Sequence, residues 1–319
     1  MVWLIALGLS LGLLGAAMTV VAYLTWIERK VAARIHNRIG PYWVGYPHGW
    51  LQPLADVLKL IIKEDIRPRA ADALLFDLAP LLMVMSALIG FAFIPLAQGL
   101  AVVDHPLSLV LFLAFASISL LAIFAAGWAS NNKYALLSAL RLVALAVSYE
   151  IPLVLALLVP AILAGSLQLS QLVEAQRTLP FILYPVIGQV AFLVFLLAAL
   201  AESNKAPLDI LEAESELVAA YNVEYSGMKF ALFYAAEYAH TLAVCALAAT
   251  VFLGGYLGPR FLPGPVWLLG KTLFLFLGVL WIRWSFMRLR IDQALKLNWK
   301  VLFPIALGNL LLAAFWAVR

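Results

Sequence analysis

Long apolar runs alternate with short polar segments along the whole chain. Eight such runs fall near 2–27, 73–97, 107–129, 135–164, 181–201, 228–257, 266–282 and 301–318. A hydrocarbon core of about 30 Å takes about 20 apolar residues per helical crossing. The pattern therefore predicts an all-α polytopic membrane protein with eight transmembrane helices, arranged as a single membrane domain over 1–319. Pro152 and Pro160 fall inside the fourth run and predict a kink or an early stop there. The first run lacks a basic leader, which predicts a membrane helix rather than a cleaved signal.

A different periodicity follows the first run, inside a loop spanning 28–72. Gln52, Asp56, Lys59 and Lys63 recur at helical spacing, with Leu51, Leu54, Leu58 and Ile61 as the opposite stripe. That helix is too short to cross, so it is expected to lie along the interface as an amphipathic element. Before it, 40–50 is dense in Gly and Pro, which forbids regular structure, and carries Tyr42, Trp43, Tyr46 and Trp50, residue types suited to a membrane interface. Two roles fit this pattern: a surface anchor, or a roof over a slot where a lipid-like molecule enters. Gly8, Gly12 and Ala16 form a small-residue stripe that close helix packing explains.

Composition agrees with the pattern and narrows the chemistry. Of 319 residues, 65% are hydrophobic and 12% charged, with mean hydropathy +1.01, which excludes a water-soluble domain. Cys245 is the only cysteine, so neither a disulfide framework nor a four-thiolate iron–sulfur cluster is available. The four histidines, His36, His48, His105 and His240, show no metal-binding helical spacing. No metal and no bound cofactor are expected, and any redox centre is expected to be diffusible or to belong to a partner. Of the 21 Lys and Arg residues, 17 fall in or beside the loops after the first, third, fifth and seventh helices. By the positive-inside rule these loops face the cytoplasm and both termini lie outside, in a bacterial cell (inner) membrane. The net charge of +4 reflects this asymmetry, and nothing points to nucleic acid.

One segment breaks the positive pattern. Glu202, Asp209, Glu212, Glu214, Glu216, Glu224 and Glu237 are seven of the 17 acidic residues, and most lie in an acidic loop over 202–227. Pro207 breaks the backbone, and Asp209 with Glu212 resembles a helix-capping pair, so a short helix through Val218 is expected. Glu212 and Glu216, four apart, repel by about 0.2–0.5 kcal/mol if both are ionised, so stability does not explain the cluster. A solvated acidic face that docks a basic partner is the bland alternative. Within the runs stand Asp77, Arg141, Glu150 and Glu237. An ionised Asp, Lys or Arg at mid-helix costs about 2.5–3.5 kcal/mol, so such groups are expected to be paired, hydrated or neutralised. Glu237, His240 and Thr241 share a helix face near Tyr234 and Tyr238, a proton-relay pattern in which Glu150 and Glu237 rank above the lone His240.

Specific blocks then carry a family resemblance: Glu28-Arg29-Lys30, Arg38-Ile39-Gly40-Pro41, Leu51-Gln52-Pro53-Leu54-Ala55-Asp56, Ser148-Tyr149-Glu150-Ile151-Pro152, Glu212-Ala213-Glu214-Ser215-Glu216 and Asn222-Val223-Glu224-Tyr225-Ser226. They run in family order over nearly the whole chain. The sequence resembles the H subunit family of proton-pumping NADH:quinone oxidoreductase, respiratory complex I, equivalent to mitochondrial subunit 1. The resemblance implies eight transmembrane helices and a hinge between a peripheral redox arm and antiporter-like pumps. It implies that helix 1, the interfacial helix and helix 6 frame a quinone tunnel (ubiquinone, menaquinone or plastoquinone). FMN and iron–sulfur clusters then reside in partner subunits, as does the quinone head-group site, and small membrane subunits join the chain to the pumps.

The residues carried over are Glu28, Arg29, Arg38, Asp56 and Lys59 along the quinone path, with Glu28 a candidate partner for Arg29 or Arg38. Glu202, Asp209, Glu212, Glu214 and Glu216 would sense quinone reduction and couple it to Glu150 and Glu237. The sequence departs from the family where His36 and Leu145 replace Gln, Lys205 replaces Arg, Leu208 replaces Phe, and Leu211 and Met287 replace Pro. Lys lacks the planar fork of Arg, and Leu145 removes a polar group beside Glu150. Two alternatives remain: a homologous subunit of a deazaflavin-, ferredoxin- or hydrogenase-linked complex, and a stand-alone proton or cation transporter.

Overall fold

The computed structural model describes residues 2–209, 220–259 and 262–318. The described residues are helical, with no strand among them. The helices are α1 (Val2–Ile35), α2 (Gln52–Ile62), α3 (Ala73–Ala92), α4 (Ser108–Ala129), α5 (Lys133–Ala164) and α6 (Leu169–Ala175). They continue as α7 (Ile187–Glu202), α8 (Gly227–Phe252), α9 (Gly264–Ser285), α10 (Ile291–Leu297) and α11 (Phe303–Val318). Six helical stretches among the described residues are long and apolar enough to cross a membrane: α3, α4, α5, α8, α9 and the continuous run Ile291–Ala317. A π-turn over Asn298–Leu302 joins the last run together. The chain is thus a multi-pass membrane protein.

Local chemistry explains most boundaries. The Asp72 side chain accepts hydrogen bonds from Leu74 N (3.1 Å) and Leu75 N (3.4 Å) and starts α3. Asn132 does the same for Tyr134 N at 2.9 Å and starts α5. Gly165 ends α5 in the left-handed region, at φ 67°, where a side chain would be strained. Gly127 lets α4 and α5 touch: a Cβ there would lie 2.6 Å from the Ala139 Cβ. A row of alanines on α8, Ala236, Ala239, Ala243, Ala246 and Ala249, is buried and admits its neighbours equally closely.

Several expectations need correction. No early stop occurs in the fourth apolar run, because α5 continues through Pro152 and Pro160, both buried against neighbouring helices. Packing partners stabilise a helix whose prolines remove internal hydrogen bonds. The fifth run starts late: Pro185 lacks an N–H and disfavours helix at Tyr184, so only Ile187–Glu202 forms the long helix. At 16 residues it falls short of the usual crossing length. The second and sixth runs end at Ala92 and Phe252, several residues before the apolar sequence does. Asp77 stands within the second run but near its start. Its carboxylate, 51% exposed, lies one turn into α3 and pairs with Lys229 at 2.7 Å and Arg67 at 3.6 Å. The helix expected through Val218 and the small-residue stripe at Gly8 and Gly12 lie outside the residues and side chains described.

Candidate functional site

Three helices, α1, α2 and α8, pack on one another around the end of α1. Here α1 carries Glu28 and Arg29 on adjacent faces, about 100° apart around the helix. Arg29 reaches α2, with Nη1 2.7 Å from Asp56 Oδ2. Gln52 Nε2 donates to Asp56 Oδ1 at 3.3 Å, and Lys59 Nζ stands 4.0 Å from the same oxygen. These groups are half-exposed or exposed, so the pair contributes about 1 kcal/mol or less and chiefly fixes geometry. Arg38 is exposed and stands apart from them. On α2 the apolar stripe Leu54, Leu58 and Ile61 is exposed, as are Trp43, Tyr46 and Trp50 of the preceding loop.

Glu28 faces inward and is only 4% exposed. It binds neither Arg29 nor Arg38. Arg283 Nη1 of α9 lies 2.9 Å from its Oε1, and the Tyr238 hydroxyl of α8 donates to its Oε2. Burial of an unpaired carboxylate would cost several kcal/mol, so a guanidinium and a phenol on this one group account for its charge. Sequence reasoning missed Arg283 as its partner. The only signal was that an acid at the end of an apolar run needs a base.

A second pair lies on the other side of Tyr238. The Lys205 side chain is 1% exposed, and its Nζ sits 2.5 Å from Glu237 Oε1. The same ammonium lies 4.6 Å from the centroid of the Tyr238 ring, over its face. Tyr238 thus touches both pairs, by its hydroxyl to Glu28 and by its ring to Lys205. One turn further along α8, His240 Nε2 stands 3.4 Å from Glu202 Oε1 at the end of α7. Glu202, Asn204, Glu237 and His240 line one small buried space, about 10 Å³, which suits about one water. His240 Nε2 and Asn204 Oδ1 have no hydrogen-bond partner among the described residues. The Thr241 hydroxyl, placed on the same face by sequence, is occupied by the Glu237 carbonyl at 2.8 Å.

Glu150 completes the set from α5. Its Oε1 accepts a hydrogen bond from Ser117 Oγ of α4 at 3.2 Å. Tyr149, next to it in sequence, is buried. Asp209 is buried and has Arg288 Nη2 at 3.6 Å. Glu212, Glu214 and Glu216 lie outside the described residues. The arrangement therefore runs from Glu28 through Tyr238, Lys205, Glu237 and His240 to Glu202, with Glu150 on α5. It draws on α1, α8, the turn after α7, α7 itself and α5. No group of three metal-ligating side chains occurs among the described residues.

The fold and this site together define a multi-pass helical membrane protein that holds buried and half-buried acids and bases beside an exposed aromatic loop. A family model described as NADH dehydrogenase matches residues 9–314. The H subunit of NADH-quinone oxidoreductase from Dehalococcoides mccartyi (strain CBDB1) is 48% identical over 303 residues, covering 95% of this chain and 84% of that protein. The H subunit from Rickettsia bellii (strain OSU 85-389) is 46% identical over 304 residues, 93% of this chain and 87% of that protein. The H subunit from Geobacillus sp. (strain WCH70) is 44% identical over 310 residues, 96% and 92% respectively. The chain belongs to the NADH dehydrogenase family of these H subunits.

Proposed function

We propose that the chain is a membrane subunit of a proton-pumping NADH:quinone oxidoreductase in the bacterial cell membrane, where it admits quinone and relays redox energy to proton transfer. In this reading α1 and α7 join the six long apolar stretches to make eight crossings, both termini lie outside, and α2 lies along the cytoplasmic interface. The quinone tail enters beside α1, α2 and α8, past Arg29, Arg38, Asp56 and Lys59. The chain holds no redox centre. Clusters, FMN and the quinone head-group site belong to partner subunits.

The observation that carries the reading is the string of buried and half-buried acids and bases from Glu28 through Lys205 and Glu237 to Glu202, with Glu150 on α5 as its proposed continuation. Glu28, fixed by Arg283 and Tyr238, lies nearest the entry loop and would respond first to a charge arriving with the reduced quinone. A protonation change there alters the field at Tyr238 and at Lys205, which holds Glu237. Releasing Glu237 changes the space it shares with His240 and Glu202. Glu202 would in turn pass the change to Glu150 on α5. Asp209, Glu212, Glu214 and Glu216 would bring the aqueous end of the route to Glu202. Between Glu28 and Glu202 each step moves a proton or a charge between groups that touch or share one space.

The test is Glu202→Gln in the assembled complex. Quinone reductase activity coupled to pumping is expected to fall by roughly tenfold or more, with assembly intact. Glu174→Gln, which alters only exposed contacts with Arg177 and Gln98, is expected to leave both unchanged. Wild-type turnover and pumping in Glu202→Gln would refute the relay.

A further inference from the structure

Beside the entry region, α1 and α9 enclose a second, open groove that the acid–base string does not use. Its walls are Lys30, Val31, Arg34 and Ile35 of α1 with Leu277 and Trp281 of α9, and it encloses about 350 Å³. That is the size of an ordinary small-molecule pocket. Lys30 and Arg34 are four residues apart and so share a helix face. Their neighbours are spoken for: Arg29 is paired with Asp56, and Arg283 with Glu28. Neither Lys30 nor Arg34 is paired with a carboxylate among the described residues, and no acid lines the groove. The Lys30 ammonium also lies over the Trp26 ring, 5.7 Å from its centroid.

Below the two cations the apolar surface continues in register on both helices. On α1 the stripe from Arg34 and Lys30 runs on through Ile27 to Tyr23 and Val20, the last two exposed. On α9 it runs from Trp281 (69% exposed) through Leu277 to Phe274 (73% exposed), spaced by four and three residues. Trp281 lies one turn from the end of α9, at the level of Lys30 and Arg34, the position an interfacial tryptophan takes. The open space beside Gly270, with nothing near its missing side chain, prolongs the bed.

We propose that this groove binds an anionic phospholipid, its phosphodiester between Lys30 and Arg34 and its acyl chains along the α1 and α9 stripes. Unneutralised positive charge at the head, an apolar track of membrane direction below it and an aromatic residue at the boundary match the three parts of that ligand. A zwitterionic lipid brings its own cation to the same place and gains less. A soluble anion gains nothing from the apolar track. Each basic side chain near an anionic surface favours the charged lipid, and removing two corresponds to about thirtyfold in relative retention. This site is separate from the quinone path and stands whether or not the proton relay is correct.

The experiment uses the intact complex in nanodiscs of mixed phosphatidylglycerol and phosphatidylcholine. The photoreactive residue p-benzoylphenylalanine replaces Leu277, and the cross-linked lipid is identified by mass spectrometry. The expected product is predominantly phosphatidylglycerol. That preference should fall about thirtyfold in K30Q/R34Q and persist in K30R and in Lys296→Gln, which alters another exposed base. Equal labelling of both lipids by the unaltered groove, or an unchanged preference in K30Q/R34Q, overturns the proposal. So does cross-linking to a partner polypeptide. If K30Q/R34Q does not assemble, the otherwise wild-type photoreactive complex decides alone: raising ionic strength must lower the phosphatidylglycerol preference, and a salt-independent ratio overturns it.

Discussion

Replacing Lys205 by Met tests whether the buried pair with Glu237 is held as two charges. The Lys205 side chain is 1% exposed and that of Glu237 11%, so solvent screens the pair little. Truncating one partner of a buried pair costs about 3–5 kcal/mol, because the other charge stays desolvated and alone. For a chain of this size that corresponds to a fall of roughly 5–10 °C in midpoint. Lys205→Arg keeps the charge and is expected to lose much less, its guanidinium also stacking on the Tyr238 ring. The decisive variant is K205M/E237Q. Removing both charges leaves no orphan, so most of the loss should return, and the coupling between the two sites should exceed about 1.5 kcal/mol in a double-mutant cycle. The assay is thermal inactivation of the complex together with its assembled fraction on native gels. If Lys205→Met melts with wild type, or if the double variant loses the sum of the two singles, the charged-pair description is wrong. Activity is a separate reading: the double variant should be stable and uncoupled.

Two further outcomes follow from groups outside the acid–base string. Lys271 donates to the carbonyls of Leu253 (2.7 Å), Gly255 (2.9 Å) and Leu257 (2.6 Å), closing the end of α8 against α9. Lys271→Met should therefore cost on the order of 3 kcal/mol and raise amide hydrogen exchange at 253–257, and unchanged exchange would refute the clamp. Tyr225 stacks on Phe76 at 4.0 Å, and burial, with Asp77 adding to it, raises its phenol above the usual value near 10. The folded state therefore holds this proton more tightly. That contribution is complete below pH 10 and is lost as pH rises above it, so Tyr225→Phe should soften the alkaline fall in thermal midpoint between about pH 10 and 11.

How far the sequence reached depends on whether a property is local or set by distant neighbours. The long apolar helices, their order and the short helix at Gln52–Ile62 follow from periodicity, whereas the caps at Asp72 and Asn132 emerge only in the fold. Pro185 and Pro152 carry the same chemical signal with opposite outcomes. The difference is packing: Pro152 is buried among neighbours that hold α5 together, while Pro185 stands at a turn before α7 begins. Glu150 and Glu237 stand out in the sequence because an acid in an apolar run is costly, and Glu202 because it opens an acidic segment among basic loops. Their partners do not. Arg283 lies 255 positions from Glu28 along the chain, and nothing local links the two.

His240 shows the limit best. A lone histidine on an apolar helix is ordinarily a satisfied core residue, and the sequence ranks it below its acidic neighbours. In the fold its Nε2 has no hydrogen bond and opens on the space shared by Glu202 and Glu237. A structural histidine in a low-dielectric interior would have both nitrogens satisfied, since an unpaired one costs about 1–3 kcal/mol. That nitrogen, 3.4 Å from Glu202 Oε1, faces the acids rather than apolar side chains. The same argument separates His240 from Thr241, which shares its face but spends its hydroxyl on the helix backbone.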